Sequence, residues 1–143
     1  MNLLETPLPG CYKLELDVHC DSRGKFVKTW KRSFYSTGLP GVAFVETFYT
    51  VSGENVLRGM HLQLPPAEYS KLVYCAAGSV IDVALDLRRG SPAFGSHLAI
   101  ELSGECGHGL FLPPGIAHGF YVQRQPSWST TSAEGTRPAW TLA

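Results

Sequence analysis

The feature that most constrains this chain is its punctuation. Turn-forming clusters interrupt it about every ten residues, leaving no room for long helices. They are Asp21-Ser22-Arg23-Gly24, Gly38-Leu39-Pro40-Gly41, Ser52-Gly53-Glu54-Asn55, Pro65-Pro66, Gly78-Ser79, Arg88-Arg89-Gly90-Ser91-Pro92 and Pro113-Pro114-Gly115. Fifteen glycines and ten prolines in 143 residues supply them. Between the breaks lie short stretches of β character. Residues 11–16 (CYKLEL) and 25–30 (KFVKTW) alternate apolar with polar, as a half-buried strand does. Residues 42–51 are rich in β-branched and aromatic side chains and read as one long strand. Residues 56–63 form a short strand. Residues 71–77 and 80–87 read as a hairpin closed at Gly78-Ser79. Residues 97–102, 110–112 and 120–123 complete the set, and 31–37 is the one place for a short helix. Many short strands at regular spacing predict an all-β sandwich or barrel.

Length allows one domain. It spans residues 1–123, and 124–143 form a polar, aperiodic tail expected to be poorly ordered. The formal net charge is zero, which argues against non-specific binding to nucleic acid or to an anionic membrane. No apolar run approaches bilayer length. Residues 1–10 carry neither a basic residue nor a hydrophobic block, so a signal peptide is not expected there. The four cysteines, Cys11, Cys20, Cys75 and Cys106, form no CxxC pair. They read as reduced thiols of a cytoplasmic protein, with Cys11 and Cys75 in the core.

The densest chemistry is Asn55-Val56-Leu57-Arg58-Gly59-Met60-His61-Leu62-Gln63. Strict strand alternation sends Arg58 and His61 to opposite faces. They share a site only if the strand bulges, and Gly59 permits that. Lys71 opens an otherwise apolar strand. It is either a rim cation in water or an inward one needing a partner, with Asp82 and Asp86 as candidates on the next strand. The Pro-Pro-Gly turn delivers His118. His61, Gln63, Glu68 and His118 together are a thin donor set for a transition metal, because Gln63 stands where a second histidine is wanted.

Taken together and in order, these segments resemble the dTDP-4-dehydrorhamnose 3,5-epimerase family of cupin-fold sugar-nucleotide epimerases. The matching segments are DSRGKF at 21–26, NVLRGMHLQLPP at 55–66, KLVYCAAGSVIDVALDLRRGSPAFG at 71–95, ELS at 101–103 and LFLPPGIAHGF at 110–120. The resemblance implies a cupin-type jelly-roll β-barrel, a homodimer, a sugar-nucleotide substrate and neither a metal nor an organic cofactor. It implies His61 as catalytic base and Lys71 as the group steadying the enolate, with Asp82 in possible support. Arg23, Phe26, Glu46, Arg58, Gln63 and His118 become substrate contacts. These residue types suit proton removal beside a ketone. An imidazole titrates near neutrality, an ammonium stabilises developing negative charge, and arginines grip pyrophosphate.

Three departures stand out. Where the family pattern has Gln-Asp-Asn at nucleotide-binding positions, this chain has Glu46-Thr47-Phe48. Lys28 occupies a place commonly held by Glu. The acid of the family is a Tyr about a dozen residues past the HGF motif, and this sequence has no tyrosine after Tyr121. A binding module that holds a sugar nucleotide without turnover, an epimerase using another nucleotide, and a metal cupin are the alternatives.

Overall fold

A computed structural model describes residues 1–124 and the backbone of residues 139–142. The described strands are β1 (Asn2–Glu5), β2 (Tyr12–Glu15), β3 (Asp17–Asp21), β4 (Gly24–Lys28), β5 (Tyr49–Ser52), β6 (Leu57–His61), β7 (Lys71–Ala77), β8 (Ser79–Asp86), β9 (His97–Ser103), β10 (His108–Leu112), β11 (Ile116–Arg124) and β12 (Ala139–Leu142), with one helix, α1 (Arg32–Gly38). A six-stranded sheet runs β1-β2-β10-β7-β12-β5, a four-stranded sheet runs β6-β11-β8-β9, and β3 with β4 forms a separate hairpin. All pairings are antiparallel. The two larger sheets form the jelly-roll expected from the spacing of turns.

Alternation along the strands builds the core between the sheets. On β7, Val73 and Cys75 face inward, and on β10 Leu110 and Leu112 do so. Val80 and Ala84 of β8 and Phe120 and Val122 of β11 meet them from the other sheet. Burial of each such large apolar side chain stabilises the fold by roughly 1.5–3 kcal/mol. The intervening residues of the six-stranded sheet face outward. There Leu14, Leu72 and Phe111 pack beneath Tyr35 and Leu39, at α1 and its C-terminus. The helix has seven residues and no side-chain N-cap, so packing of Tyr35 and the Tyr35 Oη hydrogen bond to the Thr29 carbonyl (3.0 Å) hold it.

A buried corner fastens the end of β8. The Asp86 carboxylate accepts from Arg88 N, Nε and Nη2 and from Ser91 Oγ, at 2.6–3.0 Å. Arg88 Nη2 also donates to the Pro9 carbonyl at 2.7 Å, tying the N-terminal segment to this corner. These hydrogen bonds hold Asp86 down to about 2. Gly115 is part of the same joint. It has φ +84°, and a Cβ there would lie 2.5 Å from Arg88 Cγ.

Four expectations need correction. Residues 42–51 are not one strand, because only Tyr49–Ser52 pairs and the chain before it passes without ladder bonds. β7 and β8 are not a hairpin, since the chain crosses from one sheet to the other at Gly78, whose φ is +79°. Local turn chemistry cannot distinguish a hairpin from such a corner. Asp86 is not a partner for Lys71, being consumed by Arg88 and Ser91. Residues 139–142 of the expected tail form β12 between β5 and β7, while residues 125–138 and 143 lie outside the described residues. The pairing of Asn2–Glu5 with β2 went unread in the sequence.

Candidate active site

The site is assembled where β6 runs beside β11. His61 pairs with His118, but Arg58 pairs with Phe120, so Gly59 and Met60 together face Gly119. This extra residue on β6 is a β-bulge, and it cancels the parity that would have separated Arg58 from His61. His118 and Phe120 both face the barrel interior, and both partners on β6 are thereby set on that side. Gly119 makes the approach possible, since a Cβ there would sit 2.7 Å from the Arg58 carbonyl oxygen. The bulge expected at Gly59 is therefore present.

The two imidazoles lie close, with ring centroids 4.6 Å apart and planes inclined by 53°. His61 Nδ1 is 3.2 Å from the Gly59 carbonyl oxygen. A carbonyl only accepts, so Nδ1 carries the proton and Nε2 presents a lone pair. Burial pushes His61 below the usual imidazole range. His118 and Lys71 push the same way, whereas the Gly59 carbonyl and Asp82 oppose them. The ring is thus kept neutral near pH 7, with its lone pair free to accept a proton. His118 is buried, and its Nδ1 lies 3.3 Å from Asp82 Oδ2, which fixes that ring's orientation.

Lys71 settles the alternative left open by its position. It is buried at 6% exposure, and its Nζ lies 5.7 Å from the centre of the Tyr69 ring. Burial lowers the pKa of its ammonium below the ordinary lysine value, with Asp82 across the barrel opposing that shift. Lys71 Nζ, Asp82 Oδ1 and Gln63 Oε1 are buried and have no hydrogen-bond partner among the described residues. Lys71 and Asp82 are within electrostatic reach of each other, so their unmet donor and acceptor form a pair that a polar ligand can complete. Arg58 donates from Nε to Ser52 Oγ at 2.9 Å. That bond positions the guanidinium and leaves its Nη atoms for an anion. Ser52 was not identified from the sequence, since a serine before a turn carries no distinguishing signal.

The remaining site candidates fall into two other places. Arg23 and Phe26 lie on the β3–β4 hairpin, where they line a concavity of about 440 Å³ together with His19 and Asp21. Arg23 is paired with Asp21 through Nε at 3.1 Å and Nη2 at 2.6 Å and is largely exposed. Glu46 lines a different cavity, of about 320 Å³, that also reaches Lys71 and Tyr69. Glu68 is exposed. Among the described residues no group of three His, Cys, Asp or Glu side chains is placed to hold a metal ion, and none of their helices is long and apolar enough to cross a membrane.

Comparison with known proteins identifies the family. The family model described as dTDP-4-dehydrorhamnose 3,5-epimerase matches residues 5–133. The dTDP-4-dehydrorhamnose 3,5-epimerase of Shigella flexneri is 39% identical over 123 residues, covering 85% of this chain and 68% of that protein. A crystal structure of the Elizabethkingia anophelis enzyme of the same name has a TM-score of 0.80 at 38% identity, covering 99% of this chain and 72% of the other. A dTDP-6-deoxy-D-glucose-3,5-epimerase from Legionella pneumophila, solved in complex with dTDP-4-keto-L-rhamnose, has a TM-score of 0.84 at 33% identity, covering 99% and 69%. The chain belongs to the dTDP-4-dehydrorhamnose 3,5-epimerase family.

Proposed function

We propose that this chain is an isomerase that epimerises C3, C5 or both in the 4-keto-6-deoxyhexose of a nucleoside diphosphate sugar. Its relatives' names point to dTDP-4-dehydro-6-deoxyglucose as substrate and dTDP-4-dehydrorhamnose as product, on the route to dTDP-rhamnose. One observation carries the reading: a neutral imidazole stands within electrostatic reach of a buried ammonium that has no hydrogen-bond partner among the described residues. A proton next to the C4 ketone is acidic only if the enolate is stabilised. His61 Nε2 removes that proton as general base. Lys71 Nζ donates to the C4 oxygen as negative charge develops there, and Asp82 keeps the ammonium charged. Arg58 holds the pyrophosphate through its free Nη atoms. His118, oriented by Asp82, lines the same cleft, and Gln63 accepts from a sugar hydroxyl.

Arg23 and Phe26 complete the nucleotide contacts by way of a homodimer. The support is their place on an exposed hairpin and the exposure of the edge strand β6, where Leu57 and Met60 are solvent-facing. The enzyme works in the cytoplasm.

The test is incubation with dTDP-4-keto-6-deoxyglucose in deuterated water. Deuterium is expected at C3 or C5, and its complete absence overturns the reading. The absence of a tyrosine beyond Tyr121 supports a further expectation. Without an acid on the opposite ring face, exchange outpaces inversion, by about 10²–10⁴-fold if one general acid is lost. Inversion as fast as exchange would mean that water or another residue returns the proton. A sugar-nucleotide-binding module without turnover is the second reading, and it rests on the same missing tyrosine.

A further inference from the structure

The proton-transfer cleft uses none of the cysteines, and two of them lie near one another toward the opposite end of β7 from Lys71. Cys75 is on β7 with its side chain in the core, and Cys106 is exposed in the turn between β9 and β10. That turn is seated on the end of β7. Gly104 N donates to the Gly78 carbonyl at 3.0 Å. A Cβ on Gly104 would lie 2.7 Å from the Ala76 carbonyl oxygen and 2.8 Å from Ala77 Cα, so the close approach needs glycine. Cys75 Sγ donates to the Ala77 carbonyl at 3.1 Å, and Ser103 Oγ donates to Cys106 Sγ at 2.9 Å. Both thiols are free, and they are within electrostatic reach of each other. Burial raises the pKa of Cys75 above the usual thiol value, so the exposed Cys106 is the sulfur open to an oxidant in solvent. The same turn also holds the β3–β4 hairpin. Lys25 Nζ donates to the Gly104 carbonyl, Leu16 N donates to the Gly107 carbonyl at 2.8 Å, and Val18 packs against Gly107 with no room for a Cβ between them.

We infer that Cys106 and Cys75 form a reversible oxidation site that sets how firmly the β3–β4 hairpin is held. The oxidant is a hydroperoxide. The Cys106 sulfur, giving up its thiol proton, attacks the peroxide. The O–O bond breaks and an S–O bond forms, so Cys106 becomes a sulfenic acid while the peroxide is reduced to an alcohol or water. Cys75 then attacks that sulfur and loses its own thiol proton. The S–S bond forms as the S–O bond breaks, and the hydroxyl leaves with the proton as water. A dithiol reverses the change by thiol–disulfide exchange. Closing the bridge draws Cys106 away from Ser103 and toward β7. Gly104 and Gly107, on either side of Cys106 in the turn, move with it, and the grip of the turn on Lys25 and Leu16 is loosened.

The experiment treats the reduced chain with limiting hydrogen peroxide. Peptide mapping by mass spectrometry should show a link between Cys75 and Cys106 with loss of their two thiol hydrogens, reversed by dithiothreitol. Backbone amides of residues 17–28 should exchange with deuterated water about 10-fold faster in the oxidised protein than in the reduced one, the scale of one lost hydrogen bond. Cys106→Ser, at an exposed position, should fold as the parent does and show neither change. Cys75→Ala should stop at the sulfenic acid of Cys106, trapped by dimedone. Cys75 is in the core, so Cys106→Ser carries the test if Cys75→Ala does not fold. Cys20→Ser should leave both changes intact. A disulfide that uses Cys20, a Cys106 that stays a thiol, or an oxidised Cys106 with no bond to Cys75 overturns the inference. So does a Cys75–Cys106 disulfide that leaves exchange in the hairpin unchanged.

Discussion

Asp82 and Asp86 sit four residues apart on β8, face the same interior and are both fully buried. Their surroundings differ. Asp86 fills both carboxylate oxygens with bonds from Arg88 and Ser91, and is held at about 2 by them. Asp82 spends one oxygen on His118 and leaves Oδ1 unpaired, within electrostatic reach of Lys71 and His61. Burying a polar atom without a partner costs roughly 1–3 kcal/mol. At Asp86 that cost is met within the fold. At Asp82, Lys71 and Gln63 it is left standing, which is what a site shaped for a polar ligand requires. The comparison separates a charge that holds the barrel from charges that await substrate.

The largest effect should come from the catalytic side. His61→Ala removes the base and should slow solvent exchange at the sugar by about 10²–10⁴-fold. The residue is exposed, and its ring makes one hydrogen bond, to the Gly59 carbonyl, beside its contact with the His118 ring, so the melting temperature should hardly move. Nucleotide affinity should stay close to that of the unaltered chain, because the base acts in the chemical step. A loss of affinity as large as the loss of exchange would remove His61 from the base role.

Asp86→Ala tests the structural side. It leaves Arg88 and Ser91 without their shared acceptor in a buried corner, and breaking such a pair costs about 3–5 kcal/mol. Denaturant titration should show that loss, and exchange per folded molecule should persist. The same residue sets an acid limit. Its folded value, about 2, lies below its ordinary 3.8. Its contribution is therefore complete above pH 3.8 and disappears as pH falls through about 2. That contribution is about 2 kcal/mol, and the low-pH slope of stability should vanish in the variant. A variant as stable as the parent would mean that Arg88 repairs the corner with other acceptors.

Lys71→Met should reverse the pattern, giving a more stable protein that works less well. It removes a buried ammonium with no hydrogen-bond partner among the described residues and keeps the apolar length of the side chain. Stability should rise by about 1 kcal/mol, while exchange falls for want of a donor at the C4 oxygen. Destabilisation would show that Lys71 has a structural partner.

The sequence made much of this legible. Turn residues bounded most strands, and α1 was expected at residues 31–37 and found at Arg32–Gly38. His61, Lys71 and His118 stood out because each interrupts an apolar stretch with a group that can transfer or attract a proton. Three things depended on tertiary structure. The bulge at Gly59-Met60 is decided by what β11 presents opposite, so strand periodicity could only allow it. The corner at Gly78 has the composition of a hairpin turn, and only sheet packing sends β7 and β8 to different layers. Asp82 and Asp86 are indistinguishable by spacing, both being inward positions of one strand. Arg88 and Ser91, just beyond the end of β8, claim one of them and leave the other to the site.

The smallest effect sharpens the comparison most. Asp82→Asn keeps the shape of the side chain, so the fold should survive. Removal of its charge acts on two groups with a definite sign. The Asp82 carboxylate raises the pKa of both His61 and Lys71 against the lowering caused by burial. Without it, His61 gives up its proton at still lower pH, and Lys71 loses its charge at lower pH as well. Exchange requires neutral His61 and charged Lys71, so its pH profile is a bell bounded by these two groups. Both limbs should therefore move toward acid in Asp82→Asn. The acid limb moves because the base is freed sooner, and the alkaline limb because the ammonium is lost sooner. A purely structural role would lower the height of the bell and leave its limbs in place. An unshifted profile would thus assign Asp82 to holding His118 alone, and the unpaired Oδ1 would have no electrostatic part in the chemistry.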